Sequence, residues 1–198
     1  IYVGDWQGNT IQKFTNTGVF ITQWGVSGSG DGEFDNLWDI ASDSNDNIYA
    51  ADYGNKRVQK FTSNGDYITQ WNSGGEGGSG DGEFDGPGYL TVADNGDIYI
   101  ADAGNSRIQK FSAAGAFLAE WGEYGTGNGQ FNSPYGVAVS NNGDVYVLDS
   151  LNQRIQRFHF TQNLARQTLP DESGTMDITL PIGNHIISES ITEAVVAD

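Results

Sequence analysis

The chain has 198 residues, with 26 acidic against 9 basic side chains, 28 Gly, 4 Pro and no Cys. Without Cys there is no disulfide framework, no thiolate nucleophile and no Cys-ligated zinc. A formal charge of −17 lacks the clustered Lys and Arg that phosphate binding needs, which argues against nucleic acid. No apolar run reaches the ~18–20 residues that span a bilayer as a helix. Aromatic residues at 12% are too many for a disordered acidic chain.

From the first residue the chain repeats itself. Ile1-Tyr2-Val3-Gly4-Asp5 returns as Ile48–Asp52, Ile98–Asp102 and Val145–Asp149, at offsets of 47, 50 and 47. Ile11-Gln12-Lys13-Phe14 returns in the same register at Val58–Phe61, Ile108–Phe111 and Ile155–Phe158. Trp24, Trp71 and Trp121 recur, as do Phe34, Phe84 and Phe131. The extra residues of the longer period fall between Trp71 and Phe84, in a Gly-rich stretch that reads as a surface loop.

Within one period the predicted elements are strands. Leu90–Ala93, Ile98–Ala101, Ile108–Phe111 and Phe117–Trp121 are rich in β-branched and aromatic residues. Asn95-Gly96-Asp97, Gly104-Asn105-Ser106 and Ala113-Ala114-Gly115 separate them as turns whose central residues need positive φ. Four antiparallel strands per ~40–50 residues is the signature of a propeller blade. Residues 1–160 therefore read as an all-β propeller region, with a partial blade at 1–24, full blades at 34–71 and 84–121, and a partial blade at 131–158. Residues 161–198 lose the repeat and read as a C-terminal tail.

The pattern G-x-F…P-x-G-V-A-V…N-G-D-V-Y-V-x-D…N-x-R-I-Q-x-F…G-x-F…W-G is best seen in Gly129–Phe158 and Gly82–Gly122. It resembles the NHL repeat. The resemblance implies a β-propeller of four-stranded blades, commonly six in a ring. It also implies a family spread over extracellular sensors, scaffolds, RNA binders and one amidating lyase, so it points to the fold more than to a function. About four blades are visible here, and three arrangements stay open. The blades belong to a six-bladed ring; they close as four, with Met176–Ile182 completing the first; or the tail adds a strand to a neighbouring chain, making a filament or surface layer. A tail strand near His159–Gln167 and another within Ile186–Ala197 are also expected.

Residues present in every blade read as structural. Asp5, Asp52, Asp102 and Asp149 end the second strand of each blade, where a carboxylate accepts N–H bonds from the following turn. Arg57, Arg107 and Arg154 share one register, and Lys13, Lys60, Lys110 and Arg157 another. Both sets are expected on solvent-facing strand positions, paired locally with acidic side chains. That spread leaves no basic patch for RNA.

Residues that break the repeat are the binding candidates. Leu37-Trp38-Asp39 stands where other blades have Pro87-Gly88-Tyr89 and Pro134-Tyr135-Gly136. After the strand-ending Asp come Trp6, Tyr53, Ala103 and Ser150. Propeller topology puts Trp6, Trp38, Asp39, Tyr53, Tyr89 and Tyr135 around one mouth. Gly-rich loops bearing Asp31, Glu33, Glu76, Asp81, Glu83 and Glu123 rim that mouth. Aromatic rings with carboxylates suit a protein, peptide or glycan ligand.

Catalytic chemistry is thin. Two histidines, His159 and His185, are too few for a three-His zinc site, and no G-x-S-x-G elbow is present. A calcium-dependent lactonase-like hydrolase is the competing enzyme reading, with Asp39 its nominated inner carboxylate. Asp43-Ser44-Asn45-Asp46-Asn47 lacks the Gly and distal Glu of a calcium loop and reads as a turn. Calcium is the one cofactor left open. The expectation is a non-catalytic, extracellular or cell-surface binding or assembly module, with no membrane span and self-assembly through residues 161–198.

Overall fold

The computed structural model describes residues 1–71 and 76–160 together with the backbone of three tail strands. The first blade holds β1 (Tyr2–Asp5), β2 (Thr10–Phe14) and β3 (Phe20–Trp24). A short parallel pair follows in the connecting loop, β4 (Val26–Ser27) and β5 (Glu33–Phe34). The second blade is β6 (Leu37–Ser42), β7 (Ile48–Asp52), β8 (Arg57–Phe61) and β9 (Tyr67–Trp71). The third is β10 (Pro87–Val92), β11 (Ile98–Asp102), β12 (Arg107–Phe111) and β13 (Phe117–Trp121). The fourth is β14 (Pro134–Val139), β15 (Val145–Asp149) and β16 (Arg154–Phe158). Each blade is an antiparallel meander in sequence order. Among the described residues no strand pairing closes the blades into a ring.

The tail adds β17 (Met176–Ile182), β18 (His185–Ile191) and β19 (Ala194–Val195). β19 is the fourth strand of the fourth blade, pairing Val195 with Ile155 and Ala194 with Gln156. Of the three arrangements left open, the one in which Met176–Ile182 completes the first blade is not seen: this strand pairs along its whole length with β18. Of the strand expected near His159–Gln167, residues 161–167 lie outside the described residues.

Turn chemistry sets the meander. The loops β10–β11 and β14–β15 close with Gly96 and Gly143 at φ +85° and +87°. In the loop β6–β7, Asp46 takes that left-handed position, and Asp43 accepts the N–H groups of Asn45 and Asn47, as expected for a turn. Gly104 is glycine for another reason. A Cβ there would lie 1.6 Å from the Asp85 carbonyl oxygen, and the left-handed residue of that turn is Ser106. The loop ahead of the blade presses on this turn too closely for any side chain.

The core lies between blades. Phe34, Phe84 and Phe131, each 0% exposed, sit 5.7, 5.6 and 5.7 Å from Phe61, Phe111 and Phe158 of the blade they enter. The outer Trp of the preceding blade closes the group: Trp24, Trp71 and Trp121 lie 6.2, 6.2 and 5.7 Å from the same three rings. Burying one such ring contributes about 1.5–3 kcal/mol. Repeated aromatic positions are thus the glue from blade to blade.

A buried polar clamp accompanies each aromatic group. In the third blade, the Asp102 carboxylate accepts from Asp85 N at 2.9 Å, Asn105 Nδ2 at 2.9 Å, Arg107 Nε at 3.0 Å and Gln109 Nε2 at 3.2 Å. The Arg107 guanidinium donates onward to the carbonyls of Ser79, Gly80 and Glu83, and also meets Glu120. Asp52–Arg57 and Asp149–Arg154 repeat the pair at 2.7 Å each. Two expectations change here. Arg57 and Arg107 are buried, not solvent-facing. Only Asp5 accepts backbone N–H groups of its following turn, from Gln7 and Gly8; the other three carboxylates accept that turn's Asn side chain and a backbone N–H from the loop that precedes their blade. The first blade, with Gly8 and Thr10 in place of Asn and Arg, lacks the clamp.

Removing one partner of a buried ion pair strands the other charge. Arg107→Met is expected to lower unfolding free energy by about 3 kcal/mol in urea titration, whereas Lys110→Met, whose ammonium is more exposed, costs about 1 kcal/mol or less.

Candidate functional site

The loops between blades and the β7–β8 type turns meet at one end of the blades. Tyr53 N donates to Asn36 O and Gly54 N to Asp35 O, and Leu37 pairs with Asp52. At this end every inner strand slips register. The pairings step from Leu37↔Asp52 to Asp39↔Ala51, from Pro87↔Asp102 to Leu90↔Ile100, and from Pro134↔Asp149 to Gly136↔Leu148. Each slip is a β-bulge, which leaves one residue unpaired and re-aims its neighbours. The bulges hold Trp38-Asp39, Gly88-Tyr89 and Tyr135-Gly136, so each inner strand presents one large ring at the mouth.

Four of the six expected residues form a continuous aromatic strip. Trp38 lies 5.2 Å from Tyr53 and 5.7 Å from Tyr135, and Tyr135 lies 5.4 Å from Tyr89. The Trp38–Tyr135 contact is edge-to-face at 81°, an arrangement that favours aromatic pairs. Burial and the nearby Tyr89 and Tyr53 phenols hold the Tyr135 hydroxyl above the ordinary tyrosine value. The strip crosses three blades and is half-exposed, with Tyr89 at 40%. Trp6 stands apart: it is 56% exposed on the first blade's turn, and no ring of the strip touches it among the described residues.

Asp39 sits on the second blade's bulge beside Trp38. Its Oδ2 accepts the Leu90 N–H at 3.0 Å, tying the second blade to the inner strand of the third. Burial pushes its carboxyl above the ordinary value, against the pull of the Leu90 and Ile40 N–H groups.

The rim divides in two. Glu33 and Glu83 are inward-turned rather than free, accepting Gly30 N at 2.8 Å and Gly80 N at 2.9 Å; Gln130 does the same for Gly127 at 3.0 Å. Asp31, Asp81 and Glu123 stay exposed, as does Glu76. Lys56 is the residue that sequence reasoning missed. Its Nζ lies 4.9 Å from the Tyr53 ring centroid and 3.2 Å from Asp85 Oδ1. Its one sequence signal was its place directly before the repeated Arg57. Among the described residues no three His, Asp or Glu side chains converge as metal ligands. The Asp43 carboxyl feels burial first, but hydrogen bonds from Asn47, Asn45 and Tyr49 outweigh it and hold it below its ordinary value.

Two outcomes follow from this geometry. Tyr89→Ala is expected to cost about 1 kcal/mol and Trp38→Ala about 2 kcal/mol in urea titration, because only Trp38 also packs on the core. The raised Asp39 carboxyl means that the folded state holds its proton more tightly than the unfolded state. Its contribution is therefore fullest below the ordinary carboxylate value and fades as pH rises through the shifted one. Asp39→Asn keeps an acceptor for Leu90 N and is expected to flatten this fall, read as urea midpoints from pH 4 to 7.

The NHL repeat profile matches residues 34–61, 84–111 and 131–158. No curated protein matches the chain by sequence. Among solved structures, a streptogramin B lyase is 15% identical with a TM-score of 0.58, over 97% of this chain and 68% of that one. A virginiamycin B lyase from Staphylococcus aureus is 14% identical with a TM-score of 0.60, over 97% and 62%. A chain of a nidogen/laminin complex is 15% identical with a TM-score of 0.58, over 79% and 54%. The chain thus spans between half and about two thirds of these similar structures. At such identities the likeness speaks for the fold alone. With three matched NHL repeats in register and four successive antiparallel blades, the chain carries NHL repeats folded as β-propeller blades.

Proposed function

We propose that the chain is a non-catalytic binding module, displayed outside the cell, whose aromatic mouth receives a protein, peptide or glycan. The observation that carries this reading is the continuous strip Tyr53–Trp38–Tyr135–Tyr89, held half-exposed on three bulged inner strands. Bulges aim side chains, and exposed rings that a fold presents side by side are suited to stacking on apolar or sugar surfaces. The nidogen/laminin neighbour comes from a protein complex, which fits a scaffold with this use.

At 14–15% identity the lyase neighbours carry the fold and no activity to this chain. In this chain His159 lies at the far end of the blades, 2.5 Å from Asp144, and His185 belongs to β18. The hydrolase reading would gather carboxylates in the mouth, but no other carboxylate joins Asp39 in a metal-ligand group among the described residues.

The test is binding to peptide and glycan arrays. Ligands retained by the wild type are expected to be lost by the Trp38→Ala/Tyr89→Ala double variant, checked for folding by its thermal transition. Unchanged binding by a folded double variant would sink the proposal. Millimolar calcium is expected to leave both binding and thermal midpoint unchanged. Calcium-dependent lactone hydrolysis would favour the competing enzyme.

A further inference from the structure

Resting on the reading of the mouth as a binding site, we infer that its ligand is a basic peptide segment of a partner protein, whose arginine or lysine side chains lie on the aromatic strip. Three observations converge on a cation.

The first is the distribution of charge between the two ends of the blades. At the mouth end Arg57, Arg107 and Arg154 are tied to Asp52, Asp102 and Asp149, and Lys56 is paired with Asp85. The clamps thus absorb the arginines, while Asp31, Asp35, Asp81 and Glu123 remain exposed in the loops of this end. Lys13, Lys60, Lys110 and Arg157 all point to the opposite end, where they meet Ser63 O, Ala113 O, Asp97 and Asp144. The opposite end sets those four cations against Asp43, Asp46, Asp66, Asp94, Asp97 and Asp144, so the mouth end carries the larger acidic excess. Such a field steers cationic partners and rejects anionic ones.

The second is the chemistry of the strip itself. The faces of Trp and Tyr carry negative potential and attract ammonium and guanidinium groups. Asp39 adds a carboxylate beside Trp38 that accepts a backbone N–H from Leu90 and forms no ion pair among the described residues. A neutral sugar would leave that charge uncompensated; an arginine would meet it with two donors while stacking on the rings.

The third is that the protein already uses this mode on itself. Lys56 Nζ rests over Tyr53 and is paired with Asp85, one ammonium held between a ring and a carboxylate. Tyr53 begins the strip, and Trp38, Tyr135 and Tyr89 continue it with Asp39 in the role of Asp85.

The experiment is calorimetry with a nine-residue peptide of alternating Gly and Arg, its citrulline counterpart, an acidic Gly–Glu peptide and a neutral glucan hexasaccharide. Citrulline keeps the shape of arginine and removes its charge. The arginine peptide is expected to bind at least ~10-fold more tightly than the citrulline peptide and to weaken with salt. Trp38→Ala and Asp39→Asn are each expected to weaken it ~5-fold or more, and Lys56→Gln to tighten it by exposing the Tyr53 face. Asp94→Asn, at the opposite end, is expected to change nothing. Equal binding of the citrulline peptide would overturn the inference. So would arginine-peptide binding indifferent to Trp38 and Asp39, which would mean attraction to net charge alone. If the hexasaccharide or the acidic peptide binds in a Trp38-dependent way and the arginine peptide does not, the mouth remains a binding site and the basic ligand is wrong. If none of the four binds, both readings fall.

Discussion

The buried Asp–Arg clamp is the interaction on which the rest of the molecule depends. A carboxylate accepts a backbone N–H from the preceding loop while its arginine donates to three of that loop's carbonyls, and together they tie the loop to the blade. The loop in turn delivers a phenylalanine into the gap between blades and sets the starting point of the inner strand. A fully buried pair of this kind is tolerated only because nearly every donor and acceptor in it is matched. Polar clamp and aromatic core therefore act as one unit, repeated at each of three junctions.

The clamp also shapes the site indirectly. Anchoring the start of each inner strand one residue out of step with its neighbour creates the bulge, and the bulge turns Trp38, Tyr89 and Tyr135 toward a common mouth. Because the arginines are held inside the clamps, Lys56 over Tyr53 is the cation that the described residues place against the strip, and the loops of this end keep exposed carboxylates. One device thus accounts for both the shape and the polarity of the mouth.

Much of this was legible in the amino-acid order. Recurrence of Ile-Tyr-x-x-Asp, Ile-Gln-x-Phe and Trp marked the blades, since each residue has the same neighbour in every copy. Trp38, Tyr53, Tyr89 and Tyr135 stood out because they break that recurrence, and they do meet. Trp6 broke it as well yet stays apart, because the register that names a turn says nothing about which ring its side chain reaches. The burial of Arg57 and Arg107 was hidden for a related reason: a charged residue in a strand looks solvent-facing until the loop that covers it is placed. The inward turn of Glu33 and Glu83 has the same origin, in loop backbone that only the folded chain brings within reach.

Local order in the sequence determined the strands, their turns and the repeated aromatic and polar positions, because each depends on neighbours within one blade. Only the tertiary structure decided which residues bridge one blade to the next. The carboxylate of Asp102 serves a loop seventeen residues earlier, Asp39 serves a strand fifty-one residues later, and β17 pairs with β18 instead of with the first blade. Such partners are chosen by which donors and acceptors remain unmatched once the blades stack, a condition that exists only in three dimensions.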